Sequence, residues 1–597
     1  MTSTEIELHQ LIPDDLPDGI ALVREAKERA KAIPVGRSKG VEVRRADSDR
    51  AFKERCRDTG RLTTYINLGY KTWAETRDAL DEITAAGERR GFTLDRFSLV
   101  SDRRMGLPPE MRDEALGETG IMMYTEADWV GAARDTDVEP EWNDHGVATP
   151  GGIATTESAI RAGFGYIGDF AEFNRYSYPG WYDDAEQMIR GVQAASMIAQ
   201  KRNDGVVLNS FIEDGYCSSF HDLATSLGWS MFQCYVAEDL IGAAHAQSYG
   251  STFSDPIRKQ AFGLAMDAIN VDRVPPTFVH GDTNGLVGED FDRNAVIVAA
   301  DVMYTIAREL KHPTGAAMHA TPVSEPIRIP TVDELVESLV IVSEAEKRVR
   351  ACPDIIDWRP IYEMRDQIIQ GGRQVFRNLL DGLGKIGVKT DDPLQLMLAT
   401  RRLGAGAIED LFHAGEPDSS FPRGFKPLVA SDTLGRLLER KSAVLARLRV
   451  DGPLPDLRDV KVVTAGTDVH EYALHILTQA LSACGAEVIN LGINTTSPDI
   501  AKVVVETAAD SVAVSTHNGM ALSLGRQLKK ELDARRVNPR VFMGGRLNED
   551  LEHQEAADVR PMLRAEGIVP CDTVEEMIEH LRHRPTDTGV HNHPIVH

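Results

Sequence analysis

Between residues 61 and 435, short apolar runs alternate with longer stretches in which apolar positions recur every three to four residues. The short runs read as strands: TTYINLG (63–69), FSLVS (97–101), GIMMYT (120–125), GYIGDF (165–170), VVLNSF (206–211), WSMFQCYV (229–236), PPTFVHGD (275–282) and AAMHATPV (316–323). The longer stretches, such as WAETRDALDEITAAGERRG and DDAEQMIRGVQAASMIAQKRND, carry a helical period. Strands that alternate with helices at this spacing imply parallel βα units. About eight units over more than three hundred residues fit a (β/α)8 TIM-type barrel. The segments after the strands hold Asp, His, Asn, Tyr and Gly, where such a barrel places its chemistry.

Residues 1–60 are polar and charge-rich, an N-terminal extension to a barrel at 61–435. The stretch 436–456 reads as a helix and then a Pro/Gly segment, a linker. From 457 to 585 the pattern becomes cleaner. DVKVVTAG, AEVINLG, SVAVSTH, RVFMGG and EGIVPC read as five strands with helices between them. This is the size of a flavodoxin-like, doubly wound parallel sheet. Residues 586–597 form a tail with His591, His593 and His597, expected to be solvated.

The chain has 597 residues, 42% hydrophobic and 26% charged, as in an ordinary soluble protein. With 92 acidic against 66 basic residues its formal charge is −26, which disfavours nucleic acid and anionic membrane as partners. The first residues are acidic without an apolar core, unlike a signal peptide, and no run has the length of a membrane span. The six cysteines are scattered and form no CxxC, as expected of reduced thiols in a cytoplasmic protein.

Three segments of the second domain carry candidate chemistry. Thr467-Asp468-Val469-His470 follows its first strand, Ser515-Thr516-His517 ends the third, and Gly544-Gly545 ends the fourth. In a doubly wound sheet all three fall at the carboxyl edge, where ligands bind. A loop histidine can ligate a metal, and an Asp two residues earlier can hold its other ring nitrogen. The small residues leave room for a bulky group. HEYALH (470–475) misses the HExxH zinc spacing, and Gly382-Leu383-Gly384-Lys385-Ile386-Gly387 follows a helix, as a cap and turn would, not the strand a dinucleotide loop needs.

The three segments resemble the cobalamin-binding domain of the methionine synthase and mutase families, whose Asp-x-His-x-x-Gly motif precedes a Ser-x-Leu strand end and a Gly-Gly strand end. The resemblance implies that His470 ligates cobalt, that Asp468 orients it, and that Ser515, Thr516, His517, Gly544 and Gly545 line the pocket for the nucleotide tail. Two positions depart from the pattern: Ala473 replaces the motif Gly, and His517 replaces Leu.

Glu172-Phe173-Asn174-Arg175-Tyr176-Ser177-Tyr178, continuing to Tyr182, resembles the catalytic subunit of glutamate mutase, in which a Glu is followed by Tyr six residues on and Tyr four further. Asp144-His145-Gly146 before TPGG resembles that family's Arg-His-Gly-Thr-Pro, and Glu325 before PIRIPT resembles its ribose-contacting Glu. The resemblance implies an adenosylcobalamin-dependent carbon-skeleton mutase, a methylaspartate mutase-type isomerase, with barrel and B12 domain fused. There Glu172, Tyr178, Tyr182 and Arg104 hold an amino-acid substrate while an adenosyl radical removes hydrogen, and Glu325 contacts the cofactor. The family's three-arginine grip on a dicarboxylate is altered. INLGYK offers no arginine, VSDRRMG offers Arg103 or Arg104, the third arginine is Asp144, and a family lysine is Thr321. Arginine chelates carboxylates bidentately, so these changes favour a substrate with one carboxylate and an extra amine or hydroxyl. A genuine L-glutamate mutase, a corrinoid methyltransferase and a non-catalytic B12-binding protein are the alternatives. A homodimer is the expected assembly.

Overall fold

The computed structural model describes residues 7–582 apart from 116, 118, 451, 468–470, 494, 518, 552 and 553, and apart from the side chains of 471–472 and 550–556. It divides into two compact units, 1–434 and 435–597, with the division inside the helix Asp432–Leu448.

The first unit is an eight-stranded parallel barrel. Its strands are β1 (Thr63–Leu68), β2 (Arg96–Leu99), β3 (Glu139–Trp142), β4 (Tyr166–Ile167), β5 (Val207–Phe211), β6 (His245–Ser248), β7 (Phe278–Val279) and β8 (Ala317–Met318). They pair in the order β6-β5-β4-β3-β2-β1-β8-β7, and a parallel bridge from Tyr249 to Val279 nearly closes the ring. Each strand is followed by a helix, from Trp73–Arg90 after β1 to Val332–Ala351 after β8. The local sequence supports these elements. The Thr72 hydroxyl accepts from the Glu75 amide while the Glu75 carboxylate accepts from the Thr72 amide, a reciprocal cap that starts the first barrel helix. Gly91, at φ 78°, ends it.

The barrel core is layered. Tyr65 and Phe278 stack at 4.3 Å with Phe211 at 5.5 Å from Phe278. The other end is plugged by the helix Asp49–Thr59, whose buried Asp49 pairs with Arg96 and whose Lys53 donates to the Thr277 carbonyl at 2.8 Å. Burial and the Arg96 charge lower the Lys53 pKa to about 7. Part of the N-terminal segment is thus built into the barrel's floor. Beyond the eighth helix, Arg359–Ile386 and Pro393–Phe412 add two helices, the first against Leu223–Cys234.

Two expected strands differ. GIMMYT forms only the bridge Ser101–Ile121, and the third strand is EPEW. WSMFQCYV belongs to the helix Leu223–Cys234 and its π-helical continuation Tyr235–Ile241, and the sixth strand is HAQS. In both cases the real strand is polar because Glu139, Glu141, His245 and Gln247 find buried partners, whereas Trp229 and Phe232 are buried in a helix. Gly382 and Gly384 lie inside the helix that Gly387 caps at φ 104°.

The second unit holds a five-stranded parallel sheet: β9 (Lys461–Gly466), β10 (Glu487–Asn490), β11 (Ser511–Thr516), β12 (Arg540–Gly545) and β13 (Ile568–Cys571). Their spatial order, β10-β9-β11-β12-β13, is the 2-1-3-4-5 order of a flavodoxin-like sheet. Val463, Val512, Val514, Val541 and Met543 form its core with Ile500, Leu522 and Leu528 of the flanking helices. An additional hairpin, Asn548–Leu551 with Gln554–Asp558, interrupts the final crossover. Among the described residues no helix is long and apolar enough to cross a membrane.

Candidate functional site

Segments at the carboxyl ends of β3, β4 and β5 bring a cluster of acidic and aromatic side chains together at the barrel mouth. Glu172 sits in the single 3-10 turn Ala171–Phe173 after β4 and is 1% exposed. Its Oε1 accepts from the His145 amide at 2.9 Å and lies 3.2 Å from His145 Nδ1. Its Oε2 accepts from the Tyr178 hydroxyl at 2.9 Å. His145 adopts φ 53°, a left-handed conformation that turns its amide toward the carboxylate. The Tyr178 ring is pinned by the turn Arg103–Gly106, because a Cβ on Gly106 would lie 2.2 Å from Tyr178 Cε1.

Asp144 is half-buried, and its Oδ1 accepts from Asn143 Nδ2 at 3.3 Å. Burial, opposed by His145 and reinforced by Glu172, pushes its pKa up to about 6. Two further carboxyls were not singled out from sequence. Asp169, fully buried, accepts from the Ala171 and Phe211 amides through Oδ1 at 2.7 and 3.1 Å, while its Oδ2 has no hydrogen-bond partner. Asp214 follows β5. Burial raises both well above the carboxylate range, and each carboxyl's acidic neighbours add to the shift: Asp214 and Glu172 for Asp169, Asp144 and Glu172 for Asp214. Their signal in sequence was position alone, an Asp just past each of two consecutive strands.

The nearby guanidinium groups are engaged by the protein. Asp102 takes Arg104 with both oxygens, Nε at 3.0 Å and Nη2 at 2.8 Å. Arg103 donates to the Ser177 carbonyl, Arg175 to the Gly215 carbonyl and Ser218, and Arg401 to the Phe173 and Tyr176 carbonyls. The mouth therefore presents a surplus of carboxyls, a setting for a cationic group.

Other expected residues fall outside this cluster. Tyr182 is 66% exposed. Glu325 is exposed in the turn after β8. Thr321, where the glutamate mutase pattern has lysine, is buried with its hydroxyl unpartnered. Across the mouth from β4, His280 and His319 lie 4.2 Å apart at the ends of β7 and β8. Burial lowers His280 to about 4 and His319 well below the ordinary value, so both rings are neutral at pH 7.

In the second unit, Ser515 and Thr516 end β11 and Gly544 and Gly545 end β12, adjacent in register. Gly545 has φ 104°, and a Cβ there would lie 2.1 Å from the Thr516 carbonyl and about 3 Å from the His517 ring. Ser515 is 5% exposed and its Oγ has no hydrogen-bond partner. A side-chain-free floor beside an unsatisfied buried hydroxyl fits the pocket for a cobalamin tail. Asp468 and His470, the expected cobalt-orienting pair, lie outside the described residues, as do the tail histidines.

A model of the B12 binding domain matches residues 458–570. Glutamate mutase sigma subunit 1 of Haloarcula marismortui is 35% identical over 102 residues, 17% of this chain and 68% of that protein. Among solved structures, a cobalamin-binding protein from Desulfitobacterium hafniense aligns at 20% identity over 24% of this chain and 68% of its own, with a TM-score of 0.19. The methanol:cobalamin methyltransferase complex of Methanosarcina barkeri aligns at 14% identity over 49% of this chain and 83% of its own, with a TM-score of 0.18. Through its second unit, the chain belongs to the cobalamin-binding family that includes the glutamate mutase sigma subunit.

Proposed function

We propose that the chain is an adenosylcobalamin-dependent carbon-skeleton mutase whose substrate is an amino acid carrying one carboxylate and a second cationic group. The observation that carries this reading is the cluster of Asp144, Asp169, Glu172 and Asp214 at the barrel mouth, in a chain that also holds a B12-binding domain. Adenosylcobalamin, when bound, supplies the radical that removes an unactivated hydrogen. His470 is the proposed cobalt ligand and Asp468 its orienting partner.

Glu172 holds the substrate ammonium, with Tyr178 and the His145 amide fixing its carboxylate. Burial and neighbouring carboxylates raise the Asp169 and Asp214 carboxyls well above the ordinary range, and a second ammonium beside them favours ionisation of a carboxyl. A dicarboxylate such as L-glutamate would meet the like charge of Glu172, with Arg104 already clamped by Asp102. The test is anaerobic incubation in the dark with adenosylcobalamin and either L-glutamate or a panel of diamino monocarboxylates, with products read by NMR. Rearrangement of a diamino acid is the expected result. Formation of 3-methylaspartate from L-glutamate would sink the altered-substrate reading. No turnover of any substrate with cofactor bound would sink the mutase reading.

A further inference from the structure

We propose that Cys234, Glu238 and His245 form a partly buried site for one divalent zinc-like cation in the wall of the barrel, separate from the mouth. Among the described residues these three form the one group of Cys, His and acidic donors whose ligand atoms all lie within 4.8 Å of one another. They line a cavity of about 30 Å³ between β6 and its covering helices. That is room for an ion and about one water.

Three features shape this group for a ligand. First, His245 is 2% exposed, and its Nδ1 is buried without a hydrogen-bond partner, 3.9 Å from Glu238 Oε1. The other ring nitrogen meets Ser210 Oγ at 2.8 Å. That contact fixes the ring and leaves Nδ1 aimed at the acid, the arrangement of a metal-ligating histidine and its outer partner. Second, the helix Leu223–Cys234 passes into a π-helical segment, Tyr235–Ile241, before Gly242 ends it at φ 83°. Such departures from the α period are frequent at functional sites, and Cys234 and Glu238, four residues apart across its start, lie on the same side. Third, the charges close. A thiolate, a carboxylate and a neutral imidazole balance a divalent cation, so the filled site is neutral in its partly buried setting. Arg308 lines the same cavity but is already paired with Glu309 at 2.5 Å, and Asp267 lies beside it.

The donor set of sulfur, nitrogen and one carboxylate oxygen suits zinc over magnesium or calcium. Tetrahedral zinc draws its donors to about 3.5 Å apart, so binding tightens the cluster by roughly 1 Å. On binding, the Cys234 thiol now donating to Gln247 Oε1 at 3.4 Å loses its proton to solvent and becomes a ligand. The ion would tie the π-helical turn to β6. A fourth position is open to water or to Gln247.

The test uses the full chain with His591, His593 and His597 changed to alanine, so that the tail contributes no ligand. After exposure to Zn2+ and dialysis, elemental analysis is expected to give one zinc per chain, falling at least tenfold in Cys234→Ser and staying at one in Cys352→Ser. Zinc X-ray absorption of the Cys234-intact protein is expected to show one sulfur at about 2.3 Å with nitrogen and oxygen neighbours. That measurement does not depend on a variant that must fold. No retained zinc, zinc without a sulfur neighbour, or zinc undiminished in a folded Cys234→Ser protein would each overturn the site.

Discussion

Asp102 grips Arg104 with both carboxylate oxygens, so the arginine that could meet a substrate carboxylate is already neutralised. The same Oδ1 also accepts the Arg104 amide at 2.9 Å. Asp102→Asn keeps an oxygen for that amide and removes the charge. A charge-assisted pair is worth about 1.5–3 kcal/mol. We expect the variant to bind dicarboxylate amino acids about tenfold or more tighter than the parent, read by competition against the productive substrate. Unchanged binding would mean that Arg104 does not face the substrate.

Glu172 and Tyr178 separate charge from positioning. Glu172→Gln preserves shape and removes the negative charge, and kcat/KM for an amino-acid substrate is expected to fall at least a hundredfold. Tyr178→Phe leaves the carboxylate charged but short of one donor, a loss of about 1–2 kcal/mol, or roughly tenfold. Equal losses in the two variants would argue that Glu172 serves only to hold Tyr178.

Asp144 predicts a pH dependence. Its pKa is about 6 in the folded chain, above that of an exposed aspartate. Between pH 4 and 6 the folded state keeps a proton that the unfolded state has released, so this group's contribution to stability declines as pH rises through that window. Asp144→Asn should therefore be more stable than the parent at pH 7, by at most about 2–3 kcal/mol, with the difference vanishing near pH 4. Activity should move the opposite way. Below pH 6 the parent loses this negative charge, and kcat/KM for a cationic substrate should fall with an acid limb near 6. Thermal melts and a pH–rate profile of parent and variant check both signs.

The five strands of the second unit's sheet were legible because its central strands are buried along nearly their whole length, so KVVTAG and SVAVST are short runs rich in Val and Ala between turn signals. The barrel was legible as an alternation but not strand by strand. EPEW and HAQS bury polar side chains that find partners only in three dimensions: Glu139 accepts from Ser38, Glu141 from Asn209, and His245 meets Ser210. A short apolar run such as WSMFQCYV cannot be told from a buried helix by period alone. Spacing within one segment found Glu172 and Tyr178. It could not find Asp169 and Asp214, which join the cluster across β4 and β5, nor the engagement of Arg104 by its own neighbour.

Ser515 distinguishes a pocket built for a ligand from a core defect. Its buried Oγ has no hydrogen-bond partner, so Ser515→Ala removes an unsatisfied polar atom and should leave the melting temperature of the cofactor-free chain unchanged or raise it. If the hydroxyl meets the cobalamin tail, the same variant should bind cobalamin about tenfold more weakly, the loss of one hydrogen bond. Gly545→Ala provides the contrast. It places a Cβ at a left-handed position 2.1 Å from the Thr516 carbonyl, so both stability and cobalamin binding should fall. Titration followed by the visible spectrum of the bound corrinoid, together with melts of the free chain, reads all four quantities. A Ser515→Ala protein that loses stability but not affinity would move that hydroxyl from the cobalamin pocket to the core.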